Sequence, residues 1–280
     1  PMSILRCGRH RLSLDRPLVM GIVNLTPDSF SGDGTGDDIA AAIAHAEAQR
    51  DAGADLLDLG AESTRPGAAP VPAAAELARL LPVLRAVRDW DLPVSVDTNK
   101  PEVMRAAIGE GADLINDIAA LRTPGALDAV AAGDTAVCLM HMQGEPRTMQ
   151  TDPHYDDVVA EVCDFLAARV AACERAGIDR DRLLVDPGFC FGKTVAHNYT
   201  LLRDLRRFAE LGVPLLAGLS RKSMLGTVTG RGNGSARLPA SVVAAVLAVQ
   251  QGAAIVRVHD VAATRDALAV LAATEGKGYR

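Results

Sequence analysis

Short apolar runs alternate with longer alanine-rich segments along most of the chain. The runs are rich in Val, Leu and Ile and hardly alternate with polar residues, which is typical of parallel strands that are covered on both faces. There are eight such runs, and they are PLVMGIV from Pro17, ADLLDLG from Ala54, LPVSVD from Leu92, ADLINDI from Ala112, TAVCLM from Thr135, RLLVDP from Arg182, VPLLAGL from Val213 and AAIVRVHD from Ala253.

The segments between the runs predict helices. Residues 37–53, for example, begin with two aspartates, place apolar residues at helical spacing and end at a glycine, as helix termini do. Eight strand–helix units predict an α/β protein whose residues 17–275 form a (β/α)8 TIM barrel. A doubly wound open sheet is the alternative, because periodicity does not reveal closure. Residues 1–16 alternate around a glycine and predict a short N-terminal β-hairpin, so we interpret residues 1–280 as one domain.

Polar residues at the ends of the runs indicate where the chemistry lies. In this fold the carboxyl ends of the strands hold the active site, and all eight runs end in hydrogen-bonding or charged residues. Asp97, Asn116 and Asp186 supply carboxylate acceptors and an amide that both donates and accepts, a set that suits a flat, nitrogen-rich ring. Asp97 could instead cap the helix that follows it. Asp58, which lies inside its run, is interpreted as a structural acid within the barrel.

A second group of strand-end residues is cationic. Lys222, Arg257 and His259, together with Asn24, suit a phosphate or a pyrophosphate. Lys222 lies in SRKS after the seventh run, where barrels of this type often bind phosphate.

One glycine-rich segment resembles a nucleotide-binding loop. GFCFGKT, at 188–194, is similar to the Walker A pattern but is one residue short between its glycines. It also follows the sixth run with no matching nucleotide-binding context, so we exclude an ATPase.

The first run is followed by a long polar loop. GIVNLTPDSFSGDG covers residues 21–34, whereas a simple turn needs only about two to five residues. Phe30 is the single aromatic residue in it. The length and composition predict a lid that orders over bound substrates.

Composition narrows the function classes. Lys and Arg total 29 against 35 Asp and Glu, a net charge of −6, and aromatic residues make up 3% of the chain, which argues against nucleic-acid binding. The five cysteines include no C-x-x-C pair, so we expect reduced thiols in a cytoplasmic protein. No apolar run approaches the roughly 20 residues of a membrane span, and we expect neither a membrane segment nor a leader.

Together the motifs resemble those of the dihydropteroate synthases, which act in the folate pathway. The resemblance covers nearly the whole chain, with one motif for each strand. The motifs are NLTPDSFS, GAESTRPG, VSVDTNKPEV, GADLINDI, MHMQGEPRTMQ, DPGFCFGKT, GLSRKSMLG and RVHDV. The resemblance implies a transferase that forms a C–N bond between 6-hydroxymethyl-7,8-dihydropterin pyrophosphate and p-aminobenzoate. Pyrophosphate leaves early and the arylamine then attacks, which gives 7,8-dihydropteroate.

The resemblance also implies the ligand sites, Mg²⁺ as the cofactor near Asn24, a homodimer, and competition of sulfonamides with p-aminobenzoate. The implied pterin site consists of Asp97, Asn116, Met140, Asp186, Phe191, Gly218 and Lys222. The implied p-aminobenzoate site consists of Phe30, Thr64, Arg65, Pro66, Lys222 and Ser223. The implied pyrophosphate site consists of Asn24, Arg257 and His259. The residues expected to act in catalysis are Asp33, Arg65, Lys222, Arg257 and His259.

The chain departs from the family in its first loop. The usual run is DSFSDGG, whereas this chain has DSFSGDG, which moves the acid, Asp33, one place later. Gly32 and Gly34 flank it, and their freedom would let a local backbone shift restore its position. Two alternatives remain at this stage: a pterin-binding methyltransferase domain, and a barrel that binds pterin without catalysis.

Overall fold

A computed structural model of the protein describes residues 4–25, 39–63 and 68–276. Within these ranges the strands are β1 (Ile4–Cys7), β2 (His10–Ser13), β3 (Leu18–Asn24), β4 (Leu56–Gly60), β5 (Val94–Asp97), β6 (Leu114–Asp117), β7 (Ala136–Met140), β8 (Leu183–Asp186), β9 (Leu216–Ala217) and β10 (Ile255–Val258). The helices are α1 (Ile39–Asp51), α2 (Ala73–Val87), α3 (Pro101–Gly109), α4 (Ala126–Ala131), α5 (Val158–Arg175), α6 (Val195–Arg203), α7 (Ser223–Thr229), α8 (Leu238–Gln250) and α9 (Val261–Thr274).

Strands β3 to β10 form one parallel sheet in the order β8-β7-β6-β5-β4-β3-β10-β9. The two ends of this sheet meet, because Val185 bridges Leu215 in parallel and its amide donates to the Pro214 carbonyl at 3.0 Å. The predicted (β/α)8 barrel is therefore confirmed, and the bridge is incompatible with an open sheet. The seventh barrel strand is only two residues long, shorter than its apolar run suggests. Pro214 lacks the N–H that would extend its pairing.

Strand residues alternate between two cores. Leu56 and Leu114 join the cluster that fills the inside of the barrel, whereas their neighbours Leu57 and Ile115 join the cluster between the sheet and the helices. Both faces of these strands are thus largely apolar, which explains why the runs hardly alternate in sequence.

The predicted N-terminal hairpin is present as the antiparallel pair β1 and β2. Its turn contains Gly8 at φ 56°, where an added Cβ would lie 2.8 Å from Asp113 Cα, so this position needs a glycine. Leu5 and Cys7 are fully buried and belong to the inner barrel cluster. The hairpin therefore closes the amino-terminal end of the barrel, and the carboxyl ends of the strands face the other way.

Among the described residues, none of the helices combines the length and the apolar character that a bilayer-spanning helix requires.

Candidate active site

The parallel sheet brings the predicted ring-binding residues to the carboxyl ends of their strands. Asp97 on β5 pairs with Asn116 on β6 and with Gly60 on β4, and Asp186 on β8 pairs with Met140 on β7. Asp97 and Asp186 are the last residues of their strands. The carboxyl ends of the strands therefore form a polar mouth, opposite the hairpin.

Asp58 organises this mouth from below. Its side chain is fully buried, and its Oδ1 accepts a hydrogen bond from Ser95 Oγ at 2.6 Å. Its Oδ2 accepts from Arg257 Nε at 2.6 Å and from Asn116 Nδ2 at 3.2 Å. Asp58 thus fixes two residues that the sequence assigns to ligand binding, which is more than the structural role expected for it. The feature of the sequence that could have indicated this role is a carboxylate within an otherwise apolar strand.

Arg257 joins the two halves of the mouth. Besides its bond to Asp58, its Nη2 donates to Asp97 Oδ2 at 3.1 Å. The guanidinium therefore lies between the acidic ring-binding residues and the cationic residues, whereas the sequence placed it with the cationic residues alone. A cation in this position can neutralise the acids and still meet a neighbouring anion.

Burial sets the protonation of the two acids. It raises the pKa of Asp97 to about 7, although Arg257 acts in the opposite direction. Burial also raises the pKa of Asp186, which is 6% exposed, and the Gly188 N–H at 2.7 Å from its Oδ1 opposes the shift. A Cβ on Gly218 would lie 3.7 Å from Asp186 Oδ2, so the glycine leaves room beside this carboxylate.

An apolar wall stands next to the acids. Met140 and Phe191 are buried in one small cluster, and the Lys222 ammonium lies 4.3 Å from the centre of the Phe191 ring. Burial lowers the pKa of Lys222. The sequence reasoning missed the other members of this cluster, which are Ile118, Met142 and Met149. They show no pattern in the sequence, because they come from loops after different strands.

His259 is neutral in this mouth. Burial, followed by the charges of Arg221 and Arg257, lowers its pKa to about 3. Its Nδ1 lies 3.0 Å from Ser220 Oγ, and the same oxygen accepts the His259 backbone N–H at 3.1 Å. When the Ser220 hydroxyl donates to Nδ1, the imidazole proton lies on Nε2. The sequence counted His259 as a cation, whereas here it offers an N–H.

Several predicted site residues lie outside the part of the chain that the structure describes. Phe30, Asp33, Thr64, Arg65 and Pro66 lie outside the described ranges, so their predicted roles stay predictions. Ser223 is exposed at the start of α7, and its Oγ lies 3.7 Å from Cys190 Sγ.

The chain on either side of residues 64–67 is tied to the body of the barrel. Glu62 Oε1 accepts the Val71 backbone N–H at 2.8 Å, and its other oxygen pairs with Lys100. Lys100 also donates to the fully buried Glu76 at 2.8 Å.

The fit of the mouth to a divalent cation rests on Asn24. Within the described ranges no group of three or more His, Cys, Asp and Glu side chains is placed to hold a metal ion. The Asn24 Oδ1 lies 4.0 Å from the position of a Cβ on Gly60, and Asp97 Oδ2 lies 3.8 Å from the same point. One amide oxygen fits Mg²⁺ that is held largely by water and by substrate phosphates, rather than by a protein cage.

Comparison with known proteins adds to this geometry. Residues 20–259 match the family model described as "Pterin binding enzyme". The dihydropteroate synthase of Neisseria meningitidis serogroup C is 53% identical over 267 residues, which cover 94% of this chain and 94% of that protein.

Solved structures are similar over the same extent. Xanthomonas albilineans dihydropteroate synthase with 4-aminobenzoic acid has a TM-score of 0.92 and 56% identity, covering 98% of this chain and 99% of that one. The same enzyme in complex with 7,8-dihydropteroate has a TM-score of 0.86 and 52% identity at the same coverage. Yersinia pestis dihydropteroate synthase in a sulfonamide drug complex has a TM-score of 0.92 and 46% identity, again covering 98% and 99%.

Proposed function

Because the chain belongs to the dihydropteroate synthase family of pterin-binding enzymes, we propose that its barrel mouth joins 6-hydroxymethyl-7,8-dihydropterin pyrophosphate to p-aminobenzoate. The products are 7,8-dihydropteroate and pyrophosphate. The family membership confirms the resemblance drawn from the sequence motifs, and with it the assignment to the transferases.

The observation that carries the proposal is the grouping of acids, amide and apolar wall at the carboxyl ends of the barrel strands. Asp97, Asn116 and Asp186 offer acceptors and an amide beside Met140 and Phe191. A pterin is flat, with N–H donors along its edge and an apolar face, so both parts of the pocket have a counterpart on it. Lys222, which lies above the Phe191 ring, would contact the pterin ring from the same side as Phe191.

The leaving group needs charge stabilisation more than it needs proton transfer. The bond that breaks joins the pterin methylene carbon to a pyrophosphate oxygen, and negative charge grows on that oxygen. Arg257, which already contacts Asp97, would bind the pyrophosphate from the pterin side, and His259 would donate its Nε2–H. Their positions are set by Asp58 and Ser220 before any ligand arrives.

Mg²⁺ is proposed to bind with the pyrophosphate at Asn24. When bound, it would neutralise charge on the leaving group. The single protein oxygen available there suits an ion that arrives with its phosphate ligands.

The second substrate is proposed to enter above the pterin. Lys222 and Ser223 would line its pocket at the start of α7, together with Phe30, Thr64, Arg65 and Pro66. In the reaction the aniline nitrogen bonds to the methylene carbon and then loses a proton. The nitrogen is nucleophilic when neutral, so its orientation matters more than a strong base. Asp33 would help to order the first loop during this step.

We further propose a homodimer that works in the cytoplasm. Four of the six most exposed large apolar side chains among the described residues lie on α7, α8 and α9, which pack side by side, and they are Val228, Val243, Leu247 and Val270. Exposed apolar residues on helices that pack together suit contact with a second copy. All five cysteines are free, which suits a reducing compartment.

The direct test supplies both substrates and Mg²⁺ to the purified protein and measures dihydropteroate by chromatography. We expect product and pyrophosphate in equal amounts. Pterin binding without pyrophosphate release would instead favour a non-catalytic barrel.

Two variants test the residue roles. Asp186→Ala is expected to abolish pterin binding in calorimetry, because the acceptor for the ring edge is lost. Arg257→Ala is expected to weaken binding of the pyrophosphate ester more than binding of the pterin alcohol. Equal losses for both ligands would contradict the anion-binding role of Arg257.

A further inference from the structure

The glycine-rich segment that resembles a Walker A loop folds around its own lysine. Lys193 is 3% exposed, and its Nζ lies 3.0 Å from the Gly188 carbonyl and 3.0 Å from the Phe191 carbonyl. In a nucleotide-binding loop the backbone N–H groups and the lysine face the phosphates. Here the lysine binds the loop's carbonyl oxygens, so it is not placed for a phosphate. The proposed mechanism gives this buried cation no task.

The third partner of Lys193 comes from the neighbouring strand end. Its Nζ lies 2.8 Å from Nδ1 of His141, directly after β7. Burial lowers the pKa of His141 to about 2, so the ring is neutral and Nδ1 presents a lone pair. Burial also lowers the pKa of Lys193 to about 7, but three acceptors match the three N–H donors of an ammonium group. Lys193 thus joins the loop after β8 to the end of β7.

The loop is pressed directly onto the chain after β7. A Cβ on Gly188, at φ 69°, would lie 1.9 Å from the His141 carbonyl oxygen, and one on Gly192, at φ 64°, would lie 2.3 Å from the Gln143 carbonyl oxygen. The Tyr155 hydroxyl donates to the Gly192 carbonyl at 2.8 Å. Two glycines allow this close approach, and two buried donors hold it in place.

Both ends of this loop reach the proposed pterin pocket. At its start, the Gly188 N–H binds Asp186 Oδ1 at 2.7 Å. Near its end, Phe191 places its ring under Lys222. A displacement of the loop would therefore move a hydrogen-bond acceptor and the apolar wall together.

We propose that Lys193 is a positioning residue for pterin binding: through the loop 188–192 it sets the Asp186 carboxylate and the Phe191 ring without touching the substrate. The inference rests on the proposed function, because pterin is the ligand that these two groups would share.

The test uses Lys193→Met, which keeps the apolar stem of the side chain and removes its three donors. Calorimetry with 6-hydroxymethyl-7,8-dihydropterin should show about tenfold weaker binding than the parent, the effect of losing a charge-assisted hydrogen bond that orders a site. The KM for p-aminobenzoate at saturating pterin pyrophosphate should change less than the pterin affinity, because Asp186 and Phe191, the two groups that the loop positions, belong to the proposed pterin site.

Leu5→Ala is the control for lost stability. Leu5 is fully buried in the hairpin at the opposite end of the barrel, so this variant should melt earlier and bind pterin like the parent. If pterin affinity falls in Leu5→Ala as much as in Lys193→Met, the loss reflects stability alone and the inference is overturned. Unchanged pterin affinity in a folded Lys193→Met variant overturns it too.

Tyr155→Phe decides the matter if Lys193→Met does not fold. It removes only the hydroxyl on the Gly192 carbonyl and should weaken pterin binding about threefold, in the same direction. Parental affinity in this variant would then count against the loop as a positioning device. A parent protein that binds no pterin would instead refute the proposed function, and the two failures are therefore distinguishable.

Discussion

Replacing Asp58 with Asn tests the central network of the mouth. Asp58 is fully buried and accepts hydrogen bonds from Ser95, Asn116 and Arg257. Removing one partner of a buried ion pair typically costs about 3–5 kcal/mol, because the other charge is left buried without compensation. Arg257 keeps Asp97 at 3.1 Å, and its side chain is 20% exposed, so we take the lower end, about 3 kcal/mol.

This loss is large enough to measure by two routes. For 280 residues the unfolding entropy is about 0.6 kcal/mol/K near 60 °C, so about 3 kcal/mol corresponds to a melting temperature roughly 5 °C lower. Urea unfolding followed by circular dichroism gives the free energy directly, from the shift in midpoint at constant slope. Affinity for the pterin pyrophosphate should fall in the same variant, because Asn116 and Arg257 lose their common anchor.

The matched control is Asp204→Asn, the same carboxylate-to-amide change in an exposed pair with Arg203. It should leave the urea midpoint where the parent has it. If Asp58→Asn also unfolds at the parental midpoint and binds the pterin pyrophosphate normally, then Asp58 does not organise the mouth, and the reasoning from its three hydrogen bonds is refuted.

Three further outcomes are expected. The pKa of His141 is about 2 in the folded protein and near 6.5 in the unfolded chain, so only the unfolded chain takes up this proton as pH falls from 7 to 5. Over that range, urea unfolding should show that the free energy of unfolding falls by up to about 2 kcal/mol more in the parent than in His141→Asn. Equal losses in the two proteins would contradict this expectation. Lys100→Met leaves the fully buried Glu76 carboxylate without its lysine partner and should lower the free energy of unfolding by about 2–3 kcal/mol. Lys100→Arg should recover most of this loss. If the arginine variant is as unstable as the methionine variant, the ion pair is not the cause. Chelation of Mg²⁺ should weaken binding of the pterin pyrophosphate in calorimetry and leave the pterin alcohol unaffected, whereas equal weakening would argue against a metal that travels with the phosphates.

The sequence predicted the parts of the fold that depend on local pattern. Apolar runs gave the barrel strands, and polar residues at their ends located Asp97, Asn116 and Asp186, because parallel strands bring their carboxyl ends to one edge. It could not predict what depends on burial and distance. Asp58 looked structural since its partners, 37 to 199 residues away, are adjacent only in the closed barrel. The neutral state of His259 likewise arises from burial and from charges on other strands.

The segment GFCFGKT shows the same limit of prediction from local sequence pattern. Its spacing was sufficient to exclude a nucleotide-binding loop, but nothing in the spacing indicates that Lys193 turns back onto Gly188 and Phe191. That direction follows from contact with His141, more than 50 residues earlier in the chain. The predicted p-aminobenzoate roles of Phe30, Thr64, Arg65 and Pro66, which lie outside the described residues, stay predictions.

The N-terminal hairpin has a consequence for the kinetics of the reaction. Leu5 and Cys7 close one end of the barrel, so ligands reach the acidic residues through the mouth formed by the strand ends. A substrate that occupies the deeper position must enter before the one that lies above it. We therefore expect a compulsory order of addition, with the pterin pyrophosphate first and p-aminobenzoate second, and release of both products through the same entrance.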